Sequence, residues 1–184
     1  MLWTLAIRHA VLTGFLDARI GLPALPAARR ERWAALLDDA EQRQPRDFAR
    51  NGWVVEALQG AWSSIHGAVA AHADGAALRD GTALVDGLER AVRGGRDTDT
   101  VAAIAGGLVG AAFGASAVPS AWRRVLHGHP GLRAHDLVAL GALAMRGGEP
   151  DDTGWPTGPR MDYLDWYPER SLTPHPHDPG VLLG

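Results

Sequence analysis

The sequence predicts an all-α fold built as a multi-helix bundle, and three observations carry that expectation. Apolar side chains recur at three- and four-residue spacing through most of the first 147 positions, the period of a helix with one buried face. Proline and paired glycine punctuate these stretches. No segment shows the two-residue alternation of a half-buried strand. At 184 residues, with 46% hydrophobic and 21% charged side chains, the chain has the length of one globular domain. A chain of this size buries roughly 70% of its unfolded surface and needs no disulfide or metal merely to fold.

Taken in order, Trp3, Ala6, Ile7, Ala10 and Val11 give a first helix that Gly14 stops. After a loop with Gly21, Pro23 and Pro26, a second helix turns Trp33, Leu36, Leu37 and Ala40 inward and is ended by Pro45. Asn51 is expected to cap a third, whose buried stripe is Val54, Val55, Leu58, Trp62, Ile65 and Val69, with Asp74-Gly75 breaking it. A fourth is expected from about Leu78 to Val92, with Leu84, Val85, Leu88 and Val92 inward. The fifth starts near Asp99, and its Gly106, Gly110 and Gly114 share a face, which predicts close backbone approach at the centre of the bundle. Pro119 suits the first turn of a short helix through Trp122 and Leu126, and a last helix runs from about His135 to Met145. The expected organisation is a helical domain over 1–147 and an irregular, Pro- and Gly-rich tail over 148–184 that nevertheless carries Trp155, Tyr163, Trp166 and Tyr167.

Composition removes several classes of chemistry. Cysteine is absent, which excludes thiol nucleophiles, thiolate metal sites and disulfides. All 18 basic residues are arginine, so there is no lysine for Schiff-base or P-loop chemistry. A net charge of -3 offers no basic excess for bulk nucleic-acid binding. The apolar start, Leu2 to Leu12, has no basic segment before it and is interrupted by Arg8 and His9, and the run Val101 to Ala115 is shorter than the roughly 18 residues of a spanning helix. No membrane association is expected, and the cytoplasm is the expected compartment.

One segment carries chemistry: Gly94-Gly95-Arg96-Asp97-Thr98-Asp99-Thr100, leading straight into an apolar, small-residue helix. Two carboxylates and a hydroxyl at a helix mouth are hard oxygen donors, suited to Mg²⁺, Mn²⁺ or Ca²⁺ and not to zinc. The simpler account is helix capping, since Asp and Thr ahead of an apolar helix are ordinary caps. The partial positive charge of a helix N-terminus also opposes a cation.

At these residues the chain resembles the ADP-ribosylglycohydrolase family, the relatives of dinitrogenase-reductase-activating glycohydrolase. Three features of Asn51 to Trp122 match in order. Gly52-Trp53-Val54-Val55-Glu56-Ala57-Leu58 is similar to the family's Gly-aromatic-Val helix opening. Gly95 to Gly106 resembles its Asp-Thr-Asp-Thr metal loop with the small-residue helix behind it, and Val118-Pro119 followed by Trp122 is similar to its Ile-Pro-x-x-Trp. The resemblance implies an all-α orthogonal bundle of that family's type. It also implies a binuclear Mg²⁺ (or Mn²⁺) centre and cleavage of the bond between ADP-ribose and an acceptor, the partner being an ADP-ribosylated protein or small molecule. By the same resemblance Asp97, Asp99 and Thr100 are metal ligands and Trp53 stacks the adenine, while no catalytic acid or base is assigned. Arg96 stands where many members have Gly. The family's remaining ligands come from an N-terminal half with no counterpart among these residues, so the chain is expected to be the C-terminal portion, a fold incomplete at its N-terminus.

Other polar groups read as structural. Asp151-Asp152-Thr153 lies among prolines on the far side of the loop, and Asp38-Asp39 sits on a solvated helix face. His127 and His129, like His175 and His177, lack the spacing of a helical zinc site, and Ser63, Ser64 and His66 share one helix too closely to form a nucleophile and base. Two functions follow: a metal-dependent hydrolase, or a noncatalytic helical module that binds ADP-ribose or metal.

Overall fold

The computed structural model describes residues 1–72, 81–129 and 131–152. Among the described residues are seven α-helices and one two-residue ladder, an all-α architecture as expected. The helices are α1 (Leu2–Thr13), α2 (Ala27–Gln42), α3 (Val54–Ala71), α4 (Thr82–Arg93), α5 (Thr98–Phe113), α6 (Ser120–Val125) and α7 (Ala134–Met145). Single helical turns at Leu22–Ala24, Pro45–Asp47 and Ala115–Ala117 join them. Contacts divide the chain into two compact units, one over Met1–Pro119 and the other from Ser120 onward. No helix among the described residues is long and apolar enough to cross a membrane.

The first unit is organised around α3, which packs against α2, α4 and α5, while α1 lies on α5. Every residue from Ala57 to Ile65 is buried, so α3 has almost no solvated face in its middle turns. The polar residues in that run are satisfied. Gln59 donates to the Leu36 carbonyl and the Asp39 carboxylate, both at 3.0 Å, Ser63 donates to the Arg43 carbonyl, and Ser64 donates back to the Ala61 carbonyl. Those bonds bear out the structural reading of the serine pair. Phe48, Leu37, Ile65, Leu84, Leu108, Val101 and Val109 fill the core around it.

At one edge of that core the Trp62 indole donates to Glu41, which also receives Arg19, and Arg19 reaches on to Asp38. Burial alone would raise the Glu41 carboxyl, but the bonds from Arg19 and Trp62 outweigh it and hold it below its ordinary value. Asp38 and Asp39 therefore work in ion pairs at the surface, Asp39 with Arg43 at 2.9 Å.

Several sequence expectations are corrected. The fifth helix does not offer its Gly106, Gly110 and Gly114 face to the centre: a side chain at Gly106 would meet only Leu88, and none of the described atoms lies within 4 Å of one at Gly110 or Gly114. Its buried residues are Val101, Ala105, Leu108 and Val109, and the central position belongs to α3. Val54 and Val92 are exposed, because each stands one step outside the arc its helix buries. Asn51 does not cap α3, whose N-cap is Trp53. The expected start of α4 near Leu78 and the Asp74-Gly75 break lie outside the described residues.

In the second unit, α6 follows Pro119 directly, and β1 (His127–Gly128) pairs antiparallel with β2 (Leu132–Arg133) before α7. A ladder this short has no sequence period to detect. Beyond it, the tail aromatics, Thr153, His175 and His177 lie outside the described residues.

Candidate functional site at the start of α5

The site is built on the turn between α4 and α5. After Arg93 the Gly94 amide closes onto the Arg90 carbonyl, and a side chain there would start 3.1 Å from the Ala91 oxygen and 3.2 Å from Pro45 Cβ. Gly95 (φ 78°) and Arg96 (φ 62°) then both take the left-handed conformation. For glycine this is free; for Arg96 it costs about 1 kcal/mol. That conformation gives a physical reason for the Gly usual at this position in the family it resembles. Arg96 is secured instead by its guanidinium, which donates to the Arg46 carbonyl at 3.1 Å.

Asn51 holds the turn from the other side. It is 2% exposed, its amide donates to the Gly95 carbonyl at 2.9 Å, and its side-chain oxygen accepts from the Asp97 N–H at 3.2 Å. One side chain from the approach to α3 thus fixes the two ends of the Gly95-Arg96-Asp97 bend. Gly52, next in sequence, lies beside the carboxylate, and a Cβ there would stand 3.5 Å from Asp97 Oδ2.

Asp97 occupies the N-cap position of α5, yet its side chain makes no capping hydrogen bond. Capping therefore does not account for the carboxylate, although Asp at this position ordinarily caps. Asp99, in the first turn, is exposed and lies within hydrogen-bonding reach of it. That contact with Asp97, followed by its own N–H and that of Thr100, holds the Asp99 carboxyl below its ordinary value of 3.8. Thr100 is exposed in the same turn.

Trp53 stands at the start of α3 and is 44% exposed, so core packing does not explain it. The Arg50 guanidinium sits 5.3 Å from its ring centroid. Arg50 is anchored in turn by Glu56, which accepts from the Arg50 backbone N–H at 2.6 Å and pairs with its guanidinium at 2.7 Å. The backbone bond is the main cause holding the Glu56 carboxyl below its ordinary value. Arg50 and Glu56 were not singled out by sequence, and Asn51 was expected only as the cap of the third helix. The only available signal was their place around the Gly52-Trp53 motif.

The donor set answers in part to a hard divalent cation. Asp97, Asp99 and Thr100 supply oxygen donors of the right kind for one ion, with room beside Asp97 at Gly52. Among the described residues, however, no three His, Asp or Glu side chains come together as a ligand group, so these residues do not by themselves make a binuclear centre. Asp151 pairs with Arg146 at 3.4 Å within its own unit, and His127 is exposed with Nδ1 against the Val125 carbonyl.

Searches among curated proteins and among solved structures gave no significant match. A family model described as ADP-ribosylglycohydrolase matches residues 1–152. The match takes in α1 to α7, well beyond the Asn51 to Trp122 stretch that carries the motifs. The chain belongs to the ADP-ribosylglycohydrolase family, whose members are hydrolases.

Proposed function

We propose that this chain acts on ADP-ribosylated molecules through a hydrolytic site to which Asp97, Asp99, Thr100 and Trp53 belong, with cleavage of the N- or O-glycosidic bond between ADP-ribose and its acceptor. The observation that carries the reading is the Asp97 carboxylate: it sits at a helix N-cap, does not cap, and faces a second carboxylate across an exposed turn. A carboxylate that caps nothing, paired with a second one at an exposed helix mouth, is available to a cation or substrate.

The residues divide the work. Asp97, Asp99 and Thr100 would hold Mg²⁺ or Mn²⁺, which when bound supplies Lewis-acid contact to ribose hydroxyls and orients water for attack at the anomeric carbon. Asn51 keeps the turn rigid, so that the two carboxylates are set before substrate arrives. Gly52 leaves space beside Asp97. Trp53 offers an indole face to the adenine, an interaction worth about 1–3 kcal/mol for a stacked base.

Titration calorimetry with Mn²⁺ tests the loop. A site this sparse should bind at about 10⁻³ M, and Asp97→Asn should weaken it further. Micromolar binding that survives Asp97→Asn would place the ion elsewhere and overturn the assignment. The noncatalytic reading also has an observation in its favour, the lack of a third carboxylate or imidazole beside Asp97 and Asp99 among the described residues. Incubation with ADP-ribosyl-arginine and ADP-ribosyl-serine peptides separates the two readings. Mg²⁺-dependent turnover lost in Asp97→Ala establishes the hydrolase, and ADP-ribose binding without turnover, lost in Trp53→Ala, establishes the module.

A further inference from the structure

A cleft of about 300 Å³ opens between the Pro45–Asp47 turn and the last turns of α4, lined by Gln44, Pro45, Arg46, Asp86, Arg90 and Arg93 among others. Three guanidinium groups against one carboxylate leave it an excess of positive charge in a chain whose overall charge is -3. Two of these arginines have a local reason to be there, since cations in the last turn of a helix offset its negative end. Arg46 does not. It comes from a separate segment, set by buried Pro45 and by the Gln44 N–H bond to Asp47 at 2.9 Å, and its guanidinium has no acidic partner among the described residues.

The three groups are not equally committed. Arg90 gives its Nε to Asp86 at 2.9 Å and lies over Gly67, where a side chain would start 3.1 Å from its Nη1. Asp86 also stands 3.4 Å from His72 Nε2. The Arg93 pair with Glu89 is an i,i+4 contact with Arg93 70% exposed, a solvated pair worth a few tenths of a kcal/mol. Arg46 and Arg93 are therefore free to turn onto a stronger acceptor, and a concave basic surface concentrates anions. Paired N–H donors of guanidinium match phosphate oxygens in particular.

We propose that this cleft, which borders the Asp97 turn at Gly94 but is lined by none of its oxygen donors, is a phosphate-binding site for inorganic phosphate or the terminal group of a small phosphate monoester. Cleft volumes at the lower end of the ligand-binding range suit so small an anion.

The test is calorimetric titration of the full chain with inorganic phosphate and, separately, with glycerol 3-phosphate, at ionic strength held constant with chloride. Saturable one-site binding is expected, weakened at least fivefold in Arg46→Gln and in Arg93→Gln. It should be unchanged in Arg32→Gln, a substitution of the same charge on the exposed side of α2. Saturation by both probes identifies free phosphate as sufficient; saturation by glycerol 3-phosphate alone identifies a monoester ligand. No saturable heat with either probe, or equal weakening in all three variants, overturns the proposal. Because the readout uses neither metal nor glycosidic turnover, its failure is separable from failure of the hydrolase reading.

Discussion

Replacement of Asn51 by alanine probes the candidate site through its support. The substitution removes the bonds to the Gly95 carbonyl and the Asp97 N–H. Each is worth about 1 kcal/mol net, and since both backbone groups are only half-buried, water recovers part of the penalty of leaving them bare; the expected loss is about 2 kcal/mol. For a unit of this size that is a fall in Tm of about 8 °C. Thermal unfolding followed by circular dichroism gives the number, and hydrogen exchange at the Asp97 amide locates it, since that amide loses its acceptor. Asn51→Asp sharpens the test. It keeps an acceptor for Asp97 but turns a carboxylate toward the Gly95 carbonyl, and should be less stable than Asn51→Ala at neutral pH, recovering on acidification. An Asn51→Ala protein that melts within 1 °C of the parent, with unchanged exchange at Asp97, refutes the claim that this side chain holds the turn.

Three further outcomes follow from the geometry. Asp97→Asn should leave Tm within about 1 °C, because the side chain caps nothing and asparagine can keep a hydrogen bond to Asp99; a marked fall in Tm would mean that the carboxylate is structural after all. Glu41, held below its ordinary value of 4.5, contributes stability that is complete above that pH and is lost as pH falls through its lower folded value; Glu41→Gln should flatten the acid limb of a stability–pH curve below 4.5, and an unchanged limb would contradict the pairing. Gly81→Ala places a Cβ 2.9 Å from the Ala117 carbonyl at φ 83°, whereas Gly14→Ala meets the same sign of φ (75°) with nothing of the described residues within 4 Å. The first should cost about 2–4 kcal/mol and the second about 1 in equilibrium urea unfolding, and equal costs would count against close packing of Gly81 on Ala117.

Much of this was legible in the residues. Helical period and breakers located α1, α2, α3 and α5 closely, because each buries an arc that repeats in sequence. The Asp97 to Thr100 loop stood out for its spacing after two glycines. Other features depend on partners that period alone does not name. Gly106, Gly110 and Gly114 share a face by arithmetic, but which face meets another helix depends on the neighbours, and α3, buried all round in its middle turns, took the centre. Asn51 is a good N-cap by residue type, and only the fold reveals that its side chain reaches across 46 positions to the Asp97 amide instead. The cleft basicity is equally invisible in sequence, since Arg46 and Arg93 are brought together by the chain reversing through α3 and α4.

The bond from the Trp3 indole to the Ile104 carbonyl spans 101 residues and ties α1 to α5. On a ribosome adding about 5–20 residues per second, α1 lacks its main docking partner, α5, for about 5–20 s after it is made. Its apolar stripe must wait in that time as a marginal twelve-residue helix, too short to be stable alone. The step that finishes the first unit is therefore the arrival of α5. The segment bearing Asp97 and Asp99 closes the bundle as well as carrying the proposed site, and any lesion that slows α5 docking leaves the apolar stripe of α1 exposed longer.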